Sequence, residues 1–220
     1  MPSDRNTTLS GFIVGYDPGA EKAHGFALLS VEDGVIVRVT MDTLSSTEEV
    51  IRQIEQLPDF LALGIDTLTC WSTGPGGWRP ADRWLRDRYP DVAQSVVAPN
   101  SLRGAMAVGG MALLMALCAD RTVKPNITET HPKVLFRALH KDKLKYDYIE
   151  HREPMDKLLS RLLGVDVAPN NDHEWDAAIS AFAALKGFSG QWPHDLHQLK
   201  ARENERILEP CGATHYFWPE

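Results

Sequence analysis

GFIVGYDPG, Gly11 to Gly19, is a short apolar run that stops at Asp-Pro-Gly. A run of that length ended by a turn signal reads as a buried strand, with Asp17 at its tip. His24 to Val31 and Val35 to Met41 have the same character, and Glu32-Asp33-Gly34 lies between them. Asp-Gly between β-branched runs predicts a hairpin, so three consecutive antiparallel strands follow. Ser46 to Leu57 then opens with Ser46 and Glu49 at capping-box spacing and puts Val50, Ile51, Ile54 and Leu57 on one stripe. That pattern predicts an amphipathic crossover helix. It leads into LALGID, Leu61 to Asp66, a further strand that stops at an aspartate.

A Gly/Pro/Ser-rich loop from Thr67 to Arg79 precedes a helix over Pro80 to Tyr89, and QSVVAP reads as a short strand. GAMAVGGMALLMALCA, Gly104 to Ala119, is uncharged but shorter than the ~20 residues a bilayer span needs. It predicts a buried core helix whose glycines permit close packing. A strand over Asn126 to Glu129, a helix over His131 to His140, a basic loop over Lys141 to Tyr148, and helices over Pro154 to Leu163 and Asp172 to Lys186 complete the order. The expected fold is α/β: a mixed sheet of three antiparallel strands followed by parallel ones, with helices on both faces. Residues 1–10 are expected to be a flexible N-terminus, 11–187 the domain, and 188–220 an extension packed on it.

Lys and Arg number 23 against 30 Asp and Glu, a net charge of −7, which argues against a passive nucleic-acid coat working by bulk positive charge. The same balance suits an enzyme with acidic residues gathered at a metal site. Cys70, Cys118 and Cys211 have no CxxC spacing, so neither a disulfide framework nor a zinc knuckle is expected. The first ten residues lack the apolar core of a signal peptide, and the expected location is the cytoplasm, with no membrane contact. GxxxxGK[ST] is absent, so a P-loop nucleotide hydrolase is not expected.

Asp17, Asp66 and Glu129 each close a strand, and Asp172, His173 and Asp176 open the last core helix. Neighbouring strand ends lie ~5 Å apart, and residues three or four apart share a helix face, so these groups can converge on one pocket. Clustered carboxylates repel unless divalent cations neutralise them, and hard oxygen ligands select Mg²⁺ or Mn²⁺. Two such ions about 4 Å apart suit phosphodiester hydrolysis. Taken singly, most of these residues have plainer explanations: a turn at Asp17, a strand-end cap at Asp66, a helix start at Glu129, an N-cap at Asp172. Asp176 resists one, because the AAISAFAA that follows it must be largely buried.

The segments GYDPG, GID, WRPADRWLR, SLRGAM, ETHPKVLF and DHEWDAAISAFAA resemble the ribonuclease H-like superfamily, and within it the predicted nucleases grouped as domain of unknown function 429. The resemblance covers about residues 11 to 187. His173-x-x-Asp176-Ala is similar to the last acidic motif of RuvC-type junction resolvases. It implies a nuclease in which Asp17, Asp66 and Asp176 ligate metal and Glu129 or His173 completes the site, with Asp172 beside them. Arg79, Arg83, Arg103, Lys133, Arg137 and Lys141 are then the candidates for gripping a DNA or RNA backbone, with Trp71 and Trp78 available to stack bases. A solvated helix face is the competing reading of those charges. A homodimer or a protein partner is the expected source of further positive surface. The alternative is a catalytically inactive ribonuclease H-fold module for binding or regulation. A sugar-kinase-like phosphotransferase shares the early strand order but needs two such domains.

Overall fold

The computed structural model describes residues 9–102, 104–119, 125–140 and 144–219, with only the main chain of Ala105. Strand β1 (Gly11–Asp17) pairs antiparallel with β2 (His24–Glu32), which pairs antiparallel with β3 (Val35–Leu44). Asp33 and Gly34 form the two-residue connection with φ of 49° and 78°. Positive φ at both positions is what a twisted hairpin requires and what Asp-Gly tolerates. Helix α1 (Thr47–Glu55) crosses to β4 (Phe60–Ile65), which lies parallel to β1. Short strand β5 (Trp71–Ser72) and helices α2 (Pro80–Arg88) and α3 (Gly104–Ala119) precede β6 (Asn126–Glu129), parallel to β4. The sheet order is β3-β2-β1-β4-β6, a mixed sheet of three antiparallel strands followed by parallel ones, as the sequence predicts. Helices α4 (Pro132–Leu139), α5 (Arg152–Leu163) and α6 (Asp172–Phe188) follow, then β7 (His194–Asp195), β8 (Ile207–Leu208) and β9 (Phe217–Trp218).

Both faces of the sheet are covered. Alternate residues of β1 divide between them: Ile13 packs with residues of α4, α5 and α6, whereas Val14 and Tyr16 join Val50 and Ile54 of α1 and Leu113, Leu114 and Leu117 of α3. Helix α6 approaches the sheet backbone to backbone. A Cβ built on Gly25, Gly15 or Gly64 would lie 2.0, 1.8 and 1.9 Å from the carbonyl oxygens of His173, Ala177 and Ser180 respectively. These glycines sit on β2, β1 and β4, a stripe across three strands, and the three carbonyls follow one face of the helix. Only glycine leaves room there, so the stripe seats α6 against the sheet.

Several local expectations are corrected. Ser46 caps α1 and accepts from the Glu49 amide, but the Glu49 carboxylate reaches back to the Ser45 amide at 2.9 Å, one residue before the cap. QSVVAP forms no strand: its ends curl into single 3₁₀ turns at 93–95 and 99–101. Helix α3 is buried on one side only, with Val108 and Met115 more than half exposed. Asn171, not Asp172, caps α6, its side chain accepting from the Glu174 amide. The extension goes deeper than a surface tail. Leu196 and Trp218 are fully buried, and His215 bonds to the main chain of Ile127 and Glu129 beside β6. Arg103, Lys141 and residues 1–8 of the N-terminal segment lie outside the described residues. No helix among the described residues is long and apolar enough to cross a membrane.

Candidate active site

Parallel strands β1 and β4 end side by side, and the Asp66 amide donates to the Tyr16 carbonyl at 3.0 Å, carrying the ladder one residue past β4. Asp17 and Asp66 therefore emerge at the same sheet edge. Ile65 pairs with Glu129 at the end of β6, and α6, seated on the glycine stripe, carries His173 and Asp176 over that edge. Asp17, Asp66, Glu129, Asp172, His173 and Asp176 all line one cleft of about 720 Å³. A larger, more open hollow along α5 contains none of them.

Within the cleft the three aspartates are electrostatically strained. Burial pushes the Asp17 carboxyl up, and the His173 imidazole, whose Nδ1 lies 2.5 Å from Oδ2, pulls it partly back. The same hydrogen bond raises His173. Burial, then the Asp17 charge, drives both Asp66 and Asp176 well above the usual carboxylate range, with Glu129 adding to the first and Asp66 to the second. The Tyr146 hydroxyl donates to Asp176 Oδ1 at 2.6 Å and offsets a little of this. Three crowded carboxylates facing one imidazole need protons or cations.

Glu129 belongs to a different charge set. Its Oε1 accepts from Arg79 Nη2 at 2.6 Å, and its Oε2 accepts from Arg79 Nη1 at 2.7 Å and the Thr69 amide at 2.9 Å. Burial alone would raise this carboxyl, but Arg79 and His197 hold it at about 2. Arg79 also binds Asp82 through Nε and Nη2. His197 Nδ1 faces the Thr214 carbonyl at 3.1 Å and must donate to it, leaving Nε2 turned to Glu129 and Cys70 at 3.6 Å each. Burial opposes a charge there, yet Cys70 and Glu129 lift the imidazole to about 10. Arg79 and His197 thus balance Glu129 and Asp82 without a metal.

Cys70, Glu129 and His197 do bring ligand atoms within 4.8 Å of one another, as a cation site would. Arg79 Nη1, however, stands 2.7 Å from Glu129 Oε2 and 3.6 Å from Cys70 Sγ, so a guanidinium already fills that place. The three aspartates do not draw a trio of oxygens that close, as repelling carboxylates would not.

Of the four expected phosphate-gripping side chains among the described residues, three are spent on ion pairs. Arg79 is only 2% exposed, because a charge that deep needs carboxylate partners, and so it is no surface contact. Arg83 pairs with Glu205, and Arg137 Nε pairs with Asp91 at 2.5 Å. Lys133 lines the cleft, its ammonium 5.5 Å from the Tyr146 ring. Trp78 lies beneath Arg86, and Trp71 is paired in β5 with Leu208. Sequence reasoning missed Thr69, Asp82 and Tyr146, and it weighed His197 of His194-x-x-His197 as a metal ligand but preferred a surface polar residue, whereas the structure buries its side chain beside Glu129. The one available signal was Arg79-x-x-Asp82 at a helix start, a spacing that lets the two side chains meet.

The chain is similar to several solved structures, two of which are RuvC structures. "Thermus thermophilus RuvC structure" is 14% identical with a TM-score of 0.41, covering 81% of this chain and 96% of that one. "T. thermophilus RuvC in complex with Holliday junction substrate" is 16% identical with a TM-score of 0.40 and the same coverage. No curated protein matches. The family model described as "Protein of unknown function (DUF429)" matches residues 15–195, and the chain belongs to that family.

Proposed function

We propose that the protein is a divalent-metal-dependent nuclease that hydrolyses phosphodiester bonds of DNA or RNA with Mg²⁺ or Mn²⁺, two ions acting together. The observation that carries this reading is the contrast between two adjacent charge sets. Arg79, Glu129, Asp82 and His197 neutralise one another, whereas buried Asp17 and half-buried Asp66 and Asp176 crowd one cleft with raised carboxyl pKa values and insufficient positive charge. Hard aspartate oxygens at a cleft fit Mg²⁺ or Mn²⁺. Asp17, Asp66 and Asp176 would hold the ions, with Asp172 at the rim. Bound there, divalent cations supply the charge that favours hydroxide over water and steadies the phosphate oxygens during in-line displacement.

The chain's own residues then have distinct tasks. His173 holds a proton at Nδ1 against Asp17 and orients that carboxylate. Tyr146 fixes one oxygen of Asp176 by donation and leaves the other directed by the helix. Glu129, locked by Arg79, supports the floor of the cleft and is not an open ligand. Lys133 is placed to attract a phosphate.

Titration calorimetry with Mn²⁺ and cleavage assays on DNA and RNA test the reading. Binding with cleavage, both abolished in Asp17→Asn and Asp176→Asn, is the expected result. Undiminished cleavage by both variants overturns it. A folded protein that ignores millimolar Mn²⁺ is instead a binding or regulatory module.

A further inference from the structure

The cleft has a second lining that metal chemistry leaves unused. Leu68, Val96, Val97, Pro99, Leu102 and Met106 border the same space as the aspartates. Val97 is 43% exposed, an apolar side chain left open to the cleft. This wall is held in place by main-chain hydrogen bonds. His131 Nε2 donates to the Ser95 carbonyl at 3.1 Å, and Arg86 Nη1 donates to the carbonyls of Ala93 and Val96 at 2.7 and 2.8 Å. Thr67, the neighbour of Asp66, donates through Oγ1 to the Met106 carbonyl at 2.7 Å. The wall and the acidic floor are therefore tied to one strand end, and a ligand meets them preformed.

A ligand that satisfies both must carry a phosphate for the floor and a flat apolar body for the wall, which describes a nucleotide. The cleft's volume of about 720 Å³ lies in the roughly 300–1,000 Å³ range of small-molecule pockets, enough for one nucleotide but not for a stacked duplex. Charge points the same way. Tracking a duplex needs several phosphate contacts from Lys or Arg. Among the described residues lining the cleft, those side chains are Arg79, committed to Glu129 and Asp82, and Lys133.

We propose that the wall of Val97, Leu102 and Met106 is a base subsite, so that the cleft accepts one unpaired nucleotide and the substrate is single-stranded or locally unpaired DNA or RNA. Enzymes that accept an extruded base hold it between apolar or aromatic side chains in this way. The inference rests on the nuclease reading of Asp17, Asp66 and Asp176.

The test is fluorescence anisotropy of the intact protein with Mn²⁺ and labelled oligonucleotides, in DNA and RNA arms. Single strands are expected to bind at least about tenfold more tightly than their duplexes, the equivalent of one base–side-chain stacking contact. A duplex carrying one unpaired base should recover most of that affinity. Val97→Asn, at an exposed position, removes the apolar contact without adding charge and should weaken single-strand binding about tenfold while Mn²⁺ affinity by calorimetry stays the same. Preference for single strands in either arm supports the subsite and assigns the sugar. Equal affinity for duplex and single strand, or an inert Val97→Asn, overturns it. Cleavage separates this proposal from the one beneath it: a protein that prefers single strands but cuts nothing removes the nuclease reading alone. Equal cutting of both forms removes the base subsite alone.

Discussion

Gly15→Ala is the sharpest test of how the cleft is assembled. The added Cβ would lie 1.8 Å from the Ala177 carbonyl oxygen and 2.8 Å from the Ala181 amide nitrogen, and ordinary contact begins at 3.4 Å. Both obstacles are helix backbone, which cannot swing aside as a side chain does, so α6 must lift by about 1.6 Å along that line. Overpacking of this kind costs typically about 1–3 kcal/mol, and the rigidity of both partners puts this case at the upper end. Alanine also restricts the unfolded chain, which offsets about 0.4–1 kcal/mol. The net expectation is a loss of about 2 kcal/mol, read as a lower urea midpoint at unchanged slope. Asp176 precedes Ala177, so the lift also carries it away from Asp17. A displacement of about 1 Å can cost about a hundredfold in rate, so cleavage should fall further than stability does. Gly104→Ala is the control, because a Cβ there meets nothing within 4 Å. If Gly15→Ala unfolds at the same urea concentration as the parent, α6 is not seated on the stripe and the assembly argument fails.

Asp66→Asn should raise the melting temperature of the metal-free protein at pH 8 and eliminate its rise on adding Mn²⁺. Its raised carboxyl means that stability is lost as pH climbs past the unfolded value of 3.8, and the amide removes that loss. The parent should gain about 2.7 kcal/mol at a Mn²⁺ concentration one hundred times Kd, and a variant that gains the same refutes Asp66 as a ligand. Arg79→Ala strands Glu129 and Asp82 in the interior and should cost about 3–5 kcal/mol by urea unfolding; a change below about 1 kcal/mol would count against the buried charge set. His197 binds its proton more tightly folded than unfolded. Its stabilisation is complete below pH 6.5 and drains as pH rises to about 10. His197→Gln should flatten stability across that window, and an alkaline decline identical to the parent's would show that the imidazole is uncharged.

The hairpin was legible because Asp33-Gly34 is a local instruction: two residues, two positive φ values, one turn. The end of the cap was less so, since Glu49 can reach either Ser45 or Ser46 and the pattern does not say which. QSVVAP misled because β-branched residues favour strands only where a neighbouring edge is available, and here Arg86 collects the free carbonyls instead. Helix α3 is apolar all round, which implied burial on every side, but the sheet covers only one. Glu129 stood out in the sequence as a strand-end carboxylate, with nothing local to reveal that a guanidinium fifty residues earlier would claim it.

Strand order, the early hairpin and the placement of acidic residues at strand ends are written in short-range patterns: apolar runs, turn residues and helical spacing. These act between near neighbours, and so they are readable along the chain. The division of the carboxylates into a self-neutralised set and a strained one depends on contacts between residues such as Arg79, Glu129 and His197, far apart in sequence. Asp17, Asp66 and Asp176 share a cleft because three glycines on three strands let one helix lie against the sheet. Long-range packing determines which buried charges find partners, and here that is the difference between a structural carboxylate and one left open for a cation.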